Sequence, residues 1–254
     1  MPVRLRRSAL NSASLTIFSS LLVLTFVLSV PARAQKMKRR GTTAAGPRFA
    51  VVVDERLSAL RDAPGFAGVP ARRLGRGRAV QLTGARRAAD GATFVRVTVT
   101  SRTSGWVQSE SLASPARAGD DGRLMQLVRG SEGFDRVERA RIFLDIFPRS
   151  QHRPAVLLLL AEAAEAAASR LSRDASRRLD AREMEAGGAP AHTYFLNFNG
   201  LDRYRRQGIN FTFDRASRQY AYDGAAWREI VAHHPRSPEA QAARRRLDRA
   251  SAPR

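Results

Sequence analysis

The sequence contains no cysteine, which excludes disulfides, thiolate metal sites, cysteine nucleophiles and a lipid-modified amino-terminal cysteine. Lysine is nearly as scarce. Lys36 and Lys38 are the only two, so the formal charge of +21 rests almost wholly on arginine. Arginine with abundant alanine is the composition of a G+C-rich coding bias, and it weakens the nucleic-acid reading that the charge invites. Histidine occurs four times, as His152, His192, His233 and His234. No pair has helical metal spacing with an acidic third partner, no H-E-x-x-H occurs, and adjacent histidines point to different faces of a helix. A nucleophile elbow, a Walker loop and a dinucleotide glycine motif are all missing. Glu162 and Glu165 sit on the rim of an apolar helix, where their plain role is solvation. The expectation is therefore no catalytic residue, no metal and no cofactor. Wall-active hydrolysis by two carboxylates is the enzymatic alternative, although nothing in the spacing selects a pair.

What is present begins with residues 1–34: Arg4, Arg6 and Arg7, an apolar run from Leu15 to Val30, then Ala32-Arg33-Ala34. A positive start, a short apolar core and an A-x-A site describe a secretory signal peptide. The run falls short of the about 20 residues of a comfortable span, and an uncleaved anchor is the competing reading. The Arg6-Arg7 pair suits a twin-arginine signal, but the residues after it match poorly. Loss of the segment's four arginines lowers the charge from +21 to +17. A basic exported surface meets anionic envelope polymers or a membrane surface rather than nucleic acid, unless the charge is merely solubilising. Residues 35–47, with Lys36, Lys38, Arg39 and Arg40, read as a basic, flexible leader.

Residues 48–115 read as β. Phe49–Val53 and Ala79–Leu82 are short apolar stretches, and Val95, Val97 and Val99 alternate with polar residues in the period of a half-buried strand. Asp90-Gly91 marks a tight hairpin turn. Four motifs follow in order: Leu57 to Pro64, Leu74-Gly75-Arg76-Gly77-Arg78-Ala79-Val80, Phe94-Val95-Arg96-Val97, and Gly105-Trp106-Val107. This succession resembles the bacterial SH3-like (SH3b) domain. Ala59-Leu60 replaces that family's asparagine-valine start, and Phe94 stands where tryptophan is common. The resemblance implies a small SH3-like β-barrel that attaches to peptidoglycan peptides or partner proteins. Arg61, Phe94 and Trp106 are the candidate ligand-binding residues of this segment. Trp106 either floors a ligand groove or closes the barrel core.

Residues 116–130, with Gly119-Asp120-Asp121-Gly122, read as a linker, and residues 131–254 read as α-helical. The spacing of Phe134, Val137, Ala140, Leu144 and Phe147 predicts a helix from Ser131, its N-cap, to Phe147, ended by Pro148. An alanine-rich helical stretch follows from Arg153 to Ala186, apolar on every side at Val156–Leu160 and so expected to be buried among other helices. Arg141–Ser150 lines up with Arg228–Ser237, each an amphipathic helix, a proline stop and a serine placed to cap the next helix. This pattern resembles tetratricopeptide-type repeats. The copies lie 87 residues apart, beyond the ~34 of adjacent units, so either degenerate helices intervene or the half is a compact helical domain.

Between the copies, Ala191 to Tyr222 holds all four tyrosines with arginines interleaved. Rings and guanidinium groups together suit recognition of carboxylate or phosphate, while a core role for the rings is the plain alternative. Tyr204, Arg205, Arg206, Tyr220 and Tyr222 are the candidate ligand-binding residues here. The combined expectation is a multidomain β + α chain: an SH3-like β-barrel followed by a tetratricopeptide-like α-helical domain. Its expected role is non-catalytic binding or scaffolding in the periplasm or cell envelope. A cell-wall peptide or an envelope protein is the first class of partner, and an anionic polymer or membrane surface the second.

Overall fold

The first strand, β1 (Phe49–Val52), is part of an apolar run that does not alternate with polar residues. Successive side chains of a strand point to opposite faces, so such a run requires both faces to be covered. They are. Ala50 and Val52 enter the core of a β-sheet, whereas Val51 and Val53 pack into a core built by helices. The computed structural model describes residues 49–251, and the signal and leader segments read at 1–34 and 35–47 lie outside them.

Six more strands complete the sheet: β2 (Ala59–Arg61), β3 (Pro70–Arg73), β4 (Ala79–Ala89), β5 (Ala92–Thr100), β6 (Thr103–Gln108) and β7 (Leu112–Ala113). Their spatial order is β3-β2-β6-β5-β4-β1-β7, and every pairing is antiparallel. Asp90 and Gly91 turn β4 into β5 with φ of +51° and +72°, the left-handed geometry of a type I′ hairpin. Ala50, Leu60, Val80, Val95, Val97, Val107 and Leu112 draw one face of the sheet around a common apolar cluster. Gly105 makes this possible. A Cβ there would lie 2.7 Å from the Arg61 carbonyl oxygen and 2.9 Å from Leu60 Cδ1. Further along β4 the register shifts between Leu82↔Val97 and Arg86↔Val95, so Thr83, Gly84 and Ala85 together face Arg96. Gly84 accommodates this bulge with φ of +88°.

Helices follow the sheet. The segment read as a linker, 116–130, holds α1 (Asp120–Arg129). Its first-turn acids complement the helix dipole, and Leu124, Met125 and Val128 form its buried stripe. The next helix, α2 (Gly133–Ile146), starts after Ser131 rather than on it. The buried Ser131 hydroxyl donates to the Leu127 carbonyl at the end of α1 and accepts from Arg139 Nη1 at 2.5 Å. Beyond Pro148, α3 (Arg153–Arg178) runs for 26 residues with Val156, Leu157 and Leu160 buried. Burial of each such side chain stabilises the fold by about 1.5–3 kcal/mol. The stretch expected as one helix to Ala186 breaks at Leu179-Asp180, because Asp180 accepts from the Arg182 and Glu183 amides and caps a separate helix, α4 (Ala181–Ala186). No described helix is long and apolar enough to cross a membrane.

The chain continues through α5 (Ala191–Leu196), α6 (Asp202–Arg206), a hairpin of β8 (Phe211–Asp214) and β9 (Gln219–Tyr222), then α7 (Ala225–His233) and α8 (Pro238–Ser251). The two similar stretches of sequence thus build two helical hairpins, α2–α3 and α7–α8, which pack on each other through α3. Arg153 of α3 reaches Glu229 of α7 at 2.6 Å. Their wide separation in sequence reflects the long α3 and the segment 179–222, which folds back over it. There the Tyr220 amide donates to Ser172 Oγ at 2.8 Å.

Candidate functional site

Residues directly opposite in an antiparallel pair share a face. Arg61 of β2 and Arg96 of β5 both lie opposite Trp106 of β6, so one row places the half-buried indole between two arginines. Val95, Val107 and Gly105 occupy the other face, and the row therefore stands on the side of the sheet away from its apolar cluster. A ring flanked by cations offers stacking area and two anion donors at once.

The loop between β2 and β3 borders this row and is held rigidly. Arg61 Nη1 donates to the carbonyls of Phe66 at 3.1 Å and Gly68 at 2.6 Å. Asp90 Oδ2 accepts from the Phe66 amide at 2.7 Å, and Asp62 Oδ1 accepts from the Val69 amide at 2.8 Å. Gly68 is needed here, since a Cβ would meet the Ala63 carbonyl oxygen at 2.6 Å. These bonds present Phe66 and Val69 to solvent at 51% and 66% exposure. Phe66 also packs edge-on against Phe94, with ring centroids 5.5 Å apart, and so covers a residue that is itself only 1% exposed. Of the three residues expected to bind ligand in this segment, Trp106 offers its ring to solvent in part, Arg61 commits Nη1 to the loop, and Phe94 is buried beneath Phe66 on the same face of the sheet.

The five candidates of the helical half stand elsewhere and do not join that row. Tyr204, 1% exposed, packs edge-on against Phe134 and Phe211. Tyr220, 5% exposed, donates its hydroxyl to the Phe195 carbonyl at 2.5 Å, and burial pushes its pKa up to about 12. The half-buried Tyr222 accepts from the Ala226 amide at 2.8 Å in the first turn of α7, and burial likewise raises its pKa to about 12. Arg205 is exposed and donates to the Leu196 carbonyl at 2.8 Å, and Arg206 is exposed beside it. Tyr204 thus fastens the segment to α2, and Tyr220 and Tyr222 fasten it to α3 and α7.

Sequence reasoning does not single out Phe66, Val69 or Arg96. A signal exists for Phe66: a large aromatic set between Gly65 and Gly68 in a loop has no strand period to explain it.

A second charged group lies where sheet meets helices. The Arg76 side chain, 7% exposed, projects from the Gly75–Gly77 turn to Asp135 at 2.9 Å and Glu138 at 2.7 Å on α2. The Arg76 hydrogen bond holds the Asp135 carboxyl below the usual aspartate range, whereas burial raises Glu138 despite the same arginine. Nearby, the buried Arg139 donates to the Val53 carbonyl at 3.1 Å. Where the chain passes from β7 into α1, the buried Asp120 accepts from the Ser114 amide at 2.8 Å and Arg117 Nε at 2.7 Å. These contacts secure the sheet against α1 and α2. Among the described residues, no three histidine or acidic side chains are grouped to hold a metal ion. Comparisons with family models, with curated proteins and with solved structures find nothing that matches this chain.

Proposed function

We propose that this chain is an exported, non-catalytic binding protein of the bacterial cell envelope. In this reading the sheet is an SH3-like barrel that grips a carboxylate-bearing wall peptide on its Trp106 face. The tetratricopeptide-like hairpins α2–α3 and α7–α8 would hold a protein partner. The observation that carries the reading is the row Arg61–Trp106–Arg96 beside the exposed Phe66 and Val69. An aromatic platform between cations suits a ligand with apolar patches and carboxylates, and the loop is braced in advance by four hydrogen bonds. Bracing lowers the ordering cost of association. The order of strand motifs and the apolar amino-terminal run support the barrel and the export halves of the proposal.

Co-sedimentation of the full chain with purified peptidoglycan sacculi tests it. Retention well above that of an equally basic control protein is expected, with most of it persisting at raised salt. Retention no greater than the control would overturn the reading. Retention that vanishes steeply with salt would point instead to a polyanion binder driven by charge alone.

A further inference from the structure

We propose that a cavity on the sheet's apolar side, between the β4 bulge and the turn at 114–118, binds a single-chain amphiphilic anion. Its ligand would carry a carboxylate or phosphate head on an unbranched apolar chain of about ten carbons. The cavity measures about 340 Å³, room for about eleven non-hydrogen atoms at the roughly 30 Å³ that a water occupies. Ala50, Leu82, Val95 and Leu112 form its floor, all members of or neighbours to the sheet's own core. Gly84, Ala85 and Ala116 wall it, and their small side chains leave the space open. The bulge itself creates the gap, because it carries Thr83–Ala85 out of register with β5.

Charge selects the head group. Arg86 lies directly opposite Val95 and so projects from the same face as the apolar floor. Among the described residues no hydrogen bond or ion pair engages its guanidinium. Arg117 adds a second cation at the wall, oriented by Asp120 and the Leu112 carbonyl. No aspartate or glutamate lines the cavity. An apolar floor with an uncommitted arginine at its mouth fits an amphiphile better than a sugar, which would bring hydroxyls to a floor without partners for them. The proposal is tested apart from the wall-peptide reading: Trp106 does not line this cavity, and Arg96, which borders it as well as the Trp106 row, stays unchanged in the variants that test it.

Titration calorimetry of the full chain with decanoate below its micellar range is the test. One saturable site is expected, with affinity rising about fourfold per methylene from hexanoate to decanoate. Decanol and acetate should each bind at least tenfold more weakly than decanoate. Arg86→Glu, at an exposed position, should cost at least tenfold in affinity without altering the melting temperature. Ala85→Leu, which fills the wall, should do the same, and Trp106→Ala should change nothing. Should Ala85→Leu fail to fold, Arg86→Glu decides alone. The proposal is overturned by any of three results: no saturable decanoate binding, decanol binding as tightly as decanoate, or full affinity in Arg86→Glu. Capture of anionic phospholipid vesicles without binding of decanoate would likewise overturn it, as attraction to a surface and not entry of a chain. Wall-peptide binding is read separately: sacculus retention should survive Ala85→Leu whatever the decanoate result.

Discussion

Substituting Gly105 by alanine adds one methyl group at the point where β2, β6 and the sheet's core converge. The new Cβ would sit 2.7 Å from the Arg61 carbonyl oxygen and 2.9 Å from both Leu60 Cδ1 and Cγ. Leu60 can shift only by leaving the cluster it shares with Val97 and Val107. The Arg61 carbonyl belongs to the strand paired with Trp106, so relief requires β2 and β6 to separate. Overpacking of this kind typically costs about 1–3 kcal/mol. With a urea m-value of about 1–3 kcal/mol/M, the unfolding midpoint should fall by about 1 M with m unchanged. Gly75→Ala is the control, because nothing lies within 4 Å of its Cβ and its backbone is not left-handed. It should be neutral or should stabilise by about 0.4–1 kcal/mol through the unfolded chain. A Gly105→Ala protein within 0.5 kcal/mol of the parent in paired urea titrations would refute the packing described at this strand crossing.

Arg76→Ala should destabilise the protein by about 1–2 kcal/mol, less than the loss expected for a fully buried pair, because Asp135 and Glu138 are partly exposed. The deficit should shrink in acid. Asp135 titrates below its ordinary value of 3.8 when folded, so its contribution is present above that pH and is lost as pH falls through the folded value. Urea midpoints measured from pH 7 down to pH 3 check both statements, and a deficit that grows in acid would contradict them. In alkali, Tyr220 and Tyr222 should keep their protons to about pH 12 in the fold against 10.0 unfolded. Stability is then level below pH 10 and falls between pH 10 and 12, and the double change to phenylalanine should flatten that fall in pH-dependent thermal melts.

Much of the β half is legible in the sequence for local reasons. Asp90-Gly91 sets its turn by backbone preference alone, and the alternation of Val95 and Val97 announces the inner face of β5. The α1 helix escapes notice because Gly119 precedes its first turn and Gly122 lies within it, and its stripe of Leu124, Met125 and Val128 spans little more than one turn. The β8–β9 hairpin carries its signal openly: Phe211, Phe213, Tyr220 and Tyr222 recur at every second residue. Those rings suggest a recognition surface until tertiary contacts appear. Phe213 then stacks on Phe195 at 4.9 Å, and Tyr204 and Tyr220 close onto the helical core. The candidate site is legible only in part. Trp106 and Arg61 stand out by motif, but Arg96 joins them through strand register, and Phe66 reaches them through a loop whose path depends on Asp90, 24 residues on.

The Trp106 face is tested most directly by the emission of its own ring. Trp227 is buried and bonded to Glu165 at 2.9 Å, so a ligand on the sheet should alter Trp106 alone. Titration of the full chain with a soluble, carboxylate-bearing wall peptide should give a saturable shift in tryptophan emission. That shift should disappear in Trp106→Phe and weaken at least tenfold in Arg96→Glu. An unchanged spectrum in the parent chain, or an equal shift in Trp106→Phe, would contradict the account.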